Sequence, residues 1–386
     1  MYRNDIFFGG VRDAQFNNSI IEETYGEGRI EDVPAMAQRY PPFNEYWAEK
    51  VADVEKVDVP TYVVGSWTNP VHSRGTSWAW ERLRTEHRWL RVHNTMEWPD
   101  YYSDEAVYDL RRFFDRYLKG IENDWESTPR VRLSVLDPGG KDSINKAYSE
   151  FPLPTTQYRP LYLDGAKGGL SSDLPSQESS VRYSSDDGAS IVHFTHTFEE
   201  DTEVIGHVSL RLWVEVDGHN DADLHVWLRK FDAKGGPLTH FVLPFPELVQ
   251  KGIKSVAKLK PVQARMPGGA LYGGPWGKQK VALRALDPER STPGQPFHKN
   301  DRVRTGRARS DRSGRHLVVA DEYAFPQGRA VPSPDRRLQH ARGLPARNSR
   351  GTEREPRNTH SSYWGAVRFA PPAPVLPIGR SRRGYW

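Results

Sequence analysis

The chain has no cysteine. Disulfides, thiolate metal sites and a cysteine nucleophile are therefore excluded, and the absence fits a cytoplasmic protein. No apolar run approaches the roughly 18 residues that a membrane span needs. The opening MYRNDIFFGG lacks a charged segment followed by an apolar one, so no secretory signal is read there. Lysine is absent after Lys299, although the first 300 residues contain 15. Residues 301–386 hold 18 Arg against 7 acidic residues, so the formal net charge of +4 conceals an acidic body and a basic end. The hydrophobic content of 37%, with 12 Trp, 17 Tyr and 15 Phe, is enough for two or three domains with real cores in 386 residues.

Residues 1–56 are mixed and polar, with aromatic anchors, and helical pieces in PAMAQRYPPFNEYWAEK are broken at Pro41-Pro42. The apolar run Thr61–Val64, between Pro60 and Gly65, reads as a buried strand ending in a turn. Gly75–Thr85 reads as a helix carrying Trp78, Trp80 and Leu83, and Arg88–His93 as a second strand. The clearest helix is Ser103–Lys119. Ser103 is a good N-cap, and Asp104 and Glu105 suit the positive end of the dipole. Val107, Leu110, Phe113, Phe114, Tyr117 and Leu118 fall on one apolar face, and Lys119-Gly120 suits a helix end. Strand, helix, strand, helix is the grammar of a parallel α/β sheet.

After Gly120 the pattern becomes all-β. Strands are expected at 131–137, 158–164, 190–198, 204–217 and 223–232. Val208, Leu210, Leu212, Val214 and Val216 alternate with Ser209, Arg211, Trp213 and Glu215. This predicts a β-sandwich beginning near Glu126–Pro129. From about Val303 the periodicity stops, and the Arg-, Pro-, Ser- and Gly-rich remainder reads as an irregular basic tail. Its arginines are scattered without interleaved aromatic platforms, which argues against nucleic acid as a partner.

The segments EDVPAMAQRYPPFNEYW, SWTNPVHSRGT, RWLRVHNTMEWPDYY, DLRRFFDRYLKG, TPRVRLSVLDPGG and RALDPERSTPGQPF, in this order, resemble CocE/NonD serine hydrolases, relatives of X-prolyl dipeptidyl peptidases and cocaine esterases. The resemblance covers roughly residues 1–303. It implies a fold of class α/β plus all-β: a partial α/β-hydrolase core with a helical cap segment over 1–128, a jelly-roll β-sandwich over 129–303, and the tail over 304–386. It also implies acyl transfer through Ser, His and Asp on a small-molecule ester or peptide, with no cofactor and no membrane partner. Such hydrolases carry the nucleophile on a Gly-x-Ser-x-Gly elbow. That pattern does not occur in this sequence, and MYRNDIFFGG resembles the segment that follows the elbow.

The other triad positions are also altered. The stretch GSWTNP places Asn69 where the family has its Asp. An amide can orient an imidazole but cannot stabilise imidazolium with a full charge. In RVHNTMEW, His93 is the only imidazole, while Met96 stands at the alternative alignment of the family's base. The plain reading of His93 is a hydrogen-bonded histidine at a strand end. Trp67, Trp78, Trp80, Trp89 and Trp98 read first as core, with Trp67 and Trp98 as candidates to line a substrate pocket. His72, His87 and His93 lack metal-ligand spacing, so no metal is expected. The 207–232 stretch offers a carbohydrate site or, more plainly, one wall of the active site.

The family's closing strands are missing as such. Val319–Ala330 and Ser361–Val375 are both compatible, at one and the same one-base offset, with codons for those strands. A reading-frame slip between Val303 and Val319 accounts for this and for the Arg excess, and the nucleotide sequence tests it. The rival readings to an inactive hydrolase are a ligand-binding jelly-roll module and a non-functional gene fragment.

Overall fold

The computed structural model describes residues 6–14, 30–69, 71–184, 191–217, 221–243, 270–292 and 294–304, a few single positions before residue 30, and the backbone of 316–321, 364–369 and 375–378. Along the chain come strands β1 (Phe7–Phe8) and β2 (Val11–Arg12), helices α1 (Val33–Arg39) and α2 (Glu45–Ala48), β3 (Thr61–Ser66), α3 (Ser73–Arg82), β4 (Arg88–His93), α4 (Glu97–Tyr101) and α5 (Asp104–Tyr117). Strands alone follow, apart from short 3₁₀ turns: β5 (Val131–Val135), β6 (Ser143–Tyr148), β7 (Gln157–Pro160), β8 (Tyr162–Asp164), β9 (Gly169–Ser171), β10 (Ser179–Ser184) and β11 (Val208–Asp217). The remainder are β12 (Asp223–Trp227), β13 (His240–Phe241), β14 (Leu271–Tyr272), β15 (Trp276–Lys280), β16 (His316–Asp321), β17 (Trp364–Phe369) and β18 (Val375–Ile378).

The first larger sheet has the order β3-β4-β5-β6. β3, β4 and β5 are parallel, and β6 is antiparallel to β5. The sheet therefore runs across the point near Glu126–Pro129 where the sequence changes from α/β to all-β grammar. A sheet of this kind is covered on both faces, and period-two alternation sorts the side chains. Leu90, Val92, Val131 and Leu133 join Trp67, Trp80 from α3 and Phe151 in one core, to which Ile205, just before β11, also contributes. Trp89 on the opposite face packs with Phe113 of α5 and Trp125. Gly65 lies where β3 meets α3. A Cβ there would come within 2.7 Å of the Thr76 Cγ2, so only glycine allows this approach.

That second face also carries charge. Arg91 and Arg132 are register partners on β4 and β5. Arg91 donates Nη1 to Asp100 Oδ2 at 2.8 Å, and Arg132 Nη2 lies 2.7 Å from Asp109 Oδ2. Tyr62 of β3 donates to the same Asp109 carboxylate at 2.8 Å, and burial raises its phenol well above the usual range. Two helices thus each lower one carboxylate onto two adjacent strand arginines.

Ser103 caps α5 as its sequence predicts, accepting from Ala106 N at 3.2 Å. The apolar face splits, however. Phe113 points inward with Ala106 and Asp109, whereas Val107, Phe114 and Leu118 are exposed. The inward side is set by Asp109's arginine partner as much as by apolar residues, which hydropathy spacing does not register.

In the all-β part, β11 pairs with β16, β17 and β18; β10 pairs with β17, and β7 with β18. Leu210, Leu212 and Val214 form one packed face, matching the predicted alternation. Two expectations change. No strand spans 191–198, where only an isolated bridge joins Thr195 to Gly169. The tail, read as irregular throughout, supplies three strands. HLVVAD, WGAVRF and VLPI are short, lie between breakers and lack period over a long window, yet each meets open backbone groups on β11, β10 or β7. The rest of the tail lies outside the described residues. The two parts are tied by a polar contact: Glu81 of α3 is 2.7 Å from the fully buried His207 and accepts from Gln295 Nε2 at 2.9 Å.

Candidate functional site

Open α/β sheets place ligands beyond the carboxyl ends of parallel strands. Here the ends of β3 and β4 carry Ser66, Trp67, Thr68 and Asn69, then His93, Asn94, Thr95 and Met96. The structure brings the two predicted triad positions to the same end of the sheet but gives each its own partners.

Asn69 is buried and works as a cap. Its Oδ1 accepts from the backbone N–H of Val71 at 2.7 Å and of His72 at 3.0 Å, at the entry to α3. Its Nδ2 is 3.3 Å from His72 Nδ1. His72 Nδ1 is also 3.2 Å from Glu97 Oε1, and hydrogen bonds from His72 and Asn69 hold the Glu97 carboxyl below the usual range against its own burial. Replacing Asn69 with Ala removes the acceptor for two N–H groups. The expected loss is about 1–2 kcal/mol, read as a lower thermal midpoint, while Asp at this position keeps the cap.

His93 is 3% exposed. Its Nε2 is 3.7 Å from Asp100 Oδ2, the carboxylate that Arg91 holds, and its Nδ1 is 3.4 Å from Thr95 Oγ1. Burial pushes its pKa down to about 4, against the pull of Asp100. Met96 is buried with Val242, Leu243 and Ala270, and its N–H donates to Val242 O at 2.8 Å, so it fastens the loop after β4 to the all-β part.

Nearby serine hydroxyls are committed to carbonyls. Ser66 donates to Thr95 O, Ser73 to Asn69 O at 2.6 Å, and Ser77 to Ser73 O at 3.1 Å. Trp67 is core: its indole N–H donates to Ser134 O at 2.7 Å, and it bounds a void of about 10 Å³, room for one water at most. Trp98 is 52% exposed and outside that core.

Sequence reasoning missed a third polar couple. Asp142 accepts from Asn94 Nδ2 at 2.6 Å and from Asp137 N at 2.7 Å, and His240 Nε2 is 3.5 Å from Asp142 Oδ2 and 2.8 Å from Asn94 O. With a carbonyl oxygen this close, Nε2 is the donor in this contact. Asp142 and His240 line an open cleft of about 380 Å³, with Asp137, Ile144, Thr239 and Phe241. His240 and Asp142 are 98 positions apart in sequence, and no local spacing announces them. No group of three or more His, Asp or Glu suited to a metal occurs among the described residues.

Residues 123–297 match the family model of the X-Pro dipeptidyl-peptidase C-terminal non-catalytic domain. Two structures of a CocE/NonD family hydrolase from Staphylococcus aureus are similar at 26% identity, with TM-scores of 0.78 and 0.77. Each comparison covers 98% of this chain and 65% of that chain. An aminopeptidase from a marine sediment archaeon, Thaumarchaeota archaeon, shares the fold at 12% identity and a TM-score of 0.55. No curated protein matches. The fold and these comparisons define a hydrolase-like scaffold. More narrowly, residues 123–297 resemble the X-Pro dipeptidyl-peptidase C-terminal domain, and the chain as a whole is similar to CocE/NonD family hydrolases. It spans 65% of the length of the Staphylococcus aureus relatives. Among the described residues, no helix is long and apolar enough to cross a membrane.

Proposed function

We propose that this chain is a serine-hydrolase scaffold, of acyl esterase or X-Pro dipeptidyl-peptidase descent, that does not itself turn over esters or amides. The supporting observation is that, among the described residues, no serine hydroxyl at the ends of β3 and β4 meets a base. A serine nucleophile needs a base within hydrogen-bond reach. Ser66, Ser73 and Ser77 instead donate to carbonyls, and His93 faces Asp100 and Thr95. A histidine with a pKa near 4 is also a poor general base at neutral pH. Asn69, at the position of the family's Asp, spends its oxygen on two backbone N–H groups.

With p-nitrophenyl acetate and with an Ala-Pro chromogenic amide, hydrolysis should stay at background. A fluorophosphonate probe should label no serine. Rapid labelling mapped to one serine, abolished by its replacement with Ala, overturns the reading.

The cleft beside His240 supports a second reading, that of a module binding a glycan or peptide without turnover. Saturable calorimetric binding that His240→Ala removes would favour it.

A further inference from the structure

Strand β12 turns its aromatic residues outward. Leu224 and Val226 pack into the core of the all-β part with Leu212 and Val281. The alternate positions Asp223, His225 and Trp227 are exposed. The His225 and Trp227 rings are nearly parallel, 18° apart with centroids at 6.0 Å. Trp227 is 55% exposed, and Phe231, four residues on, is 44% exposed. Single exposed aromatics are ordinary, whereas three rings within one short extended segment make a patch. Among the described residues β12 pairs with β15 alone, so its outer edge is open beside these rings.

Size and charge indicate what fits. Half-exposed rings leave roughly 100 Å² each, so the patch is on the order of 300 Å². A standard protein interface takes about 800 Å² per partner, so the patch suits a small ligand and not a second folded chain. The charges beside the rings are mostly spent within the chain. Lys280 Nζ lies 2.8 Å from Asp223 Oδ1. Lys278, 7% exposed, faces Asp13 and the Phe8 and Trp276 rings. Arg229 runs along Gly273. A charged ligand therefore finds no cluster of one sign among the described residues. A pyranose ring suits such a surface: its C–H groups lie on the electron-rich face of an aromatic ring, and its hydroxyls meet polar side chains at the rim. Rings set along one extended strand, about 6.6 Å per two residues, call for a straight chain of sugars.

We propose that the outer side of β12 binds an extended, uncharged oligosaccharide, with Trp227 as the principal stacking ring, His225 beside it and Phe231 prolonging the surface. Asp223 and Lys280, paired at one end of the strand, and Arg229 at the other give hydrogen bonds to its hydroxyls. Trp276, the register partner of Trp227, packs edge-on against Phe8 at 5.1 Å and anchors the strand pair from behind. The site is built from other residues than the cleft beside His240 and does not depend on the reading of that cleft.

Titration calorimetry of the full chain with cellohexaose and with mannohexaose, both straight β-linked chains, should give saturable binding of at least one. Maltohexaose, a coiled α-linked chain, should bind about tenfold more weakly. Trp227→Ala should weaken the binding about tenfold with unchanged far-ultraviolet circular dichroism, and Trp227→Phe should restore most of it. No saturable binding of either β-linked hexaose overturns the proposal. So does binding unmoved by Trp227→Ala, or equal affinity for maltohexaose. Binding that His240→Ala removes and Trp227→Ala leaves intact belongs to the cleft and overturns it too. If Trp227→Ala fails to fold, His225→Ala decides, with an expected loss of about threefold.

Discussion

Asp100→Ala is expected to lower the unfolding free energy by about 3–5 kcal/mol. Its carboxylate is 11% exposed and faces the Arg91 guanidinium, itself 7% exposed. Once the carboxylate is gone, a guanidinium remains on a covered sheet face, with a 3.3 Å bond to Asn145 Oδ1 in place of a counter-charge. Register makes matters worse, because Arg132 stands directly beside Arg91 on the next strand. Two adjacent buried cations would then share Asp109 alone. Urea unfolding should show a lower midpoint at unchanged slope. Arg91→Met combined with Asp100→Leu should recover most of the loss, since a well-packed apolar pair replaces a buried ion pair at little net cost. A fall below about 1 kcal/mol for Asp100→Ala would mean that water reaches Arg91 and that the pair is a surface one.

The same pair shows how far the sequence could be read. RWLRVH has the length of a strand, with Trp89, Leu90 and Val92 as its apolar residues, and its bounds, 88–93, match the structure. Ser103 with Asp104 and Glu105 likewise marks the start of α5, because capping is a local interaction between residues three apart. What hydropathy could not convey was that Arg91 and Arg132 point inward. That depends on Asp100 and Asp109, which reach them from other elements. The apolar face of α5 was misjudged for the same reason: a charged residue defines its buried side, and apolar ones lie outside.

The site divides in a similar way. Motif order places Asn69 and His93 at strand ends, and the parallel sheet brings those ends to one side. Their partners, Glu97, His72 and Asp100, come from helix starts whose orientation no spacing fixes. The His240–Asp142 couple is a product of tertiary packing alone. The tail strands were illegible because short apolar runs become strands only when an edge with free N–H and C=O groups is offered to them.

His93 should make the protein sensitive to acid before its carboxylates do. In the folded chain the imidazole stays neutral down to about pH 4 because burial disfavours its charged form. In the unfolded chain it takes its proton near pH 6.5. Between these values the unfolded state binds more protons, so the unfolding free energy falls as pH falls. The contribution is complete above about pH 6.5 and lost by about pH 4; a shift of this size corresponds to about 3 kcal/mol. His93→Gln keeps a polar group of similar size that does not titrate. The stability difference between the native chain and this variant, from urea midpoints, should shrink by about 3 kcal/mol between pH 7 and pH 4. Parallel curves would show that the imidazole is solvated and titrates normally. An ordinary titration would also restore His93 as a competent base at neutral pH, leaving only the serines and Asn69 to keep the scaffold inert.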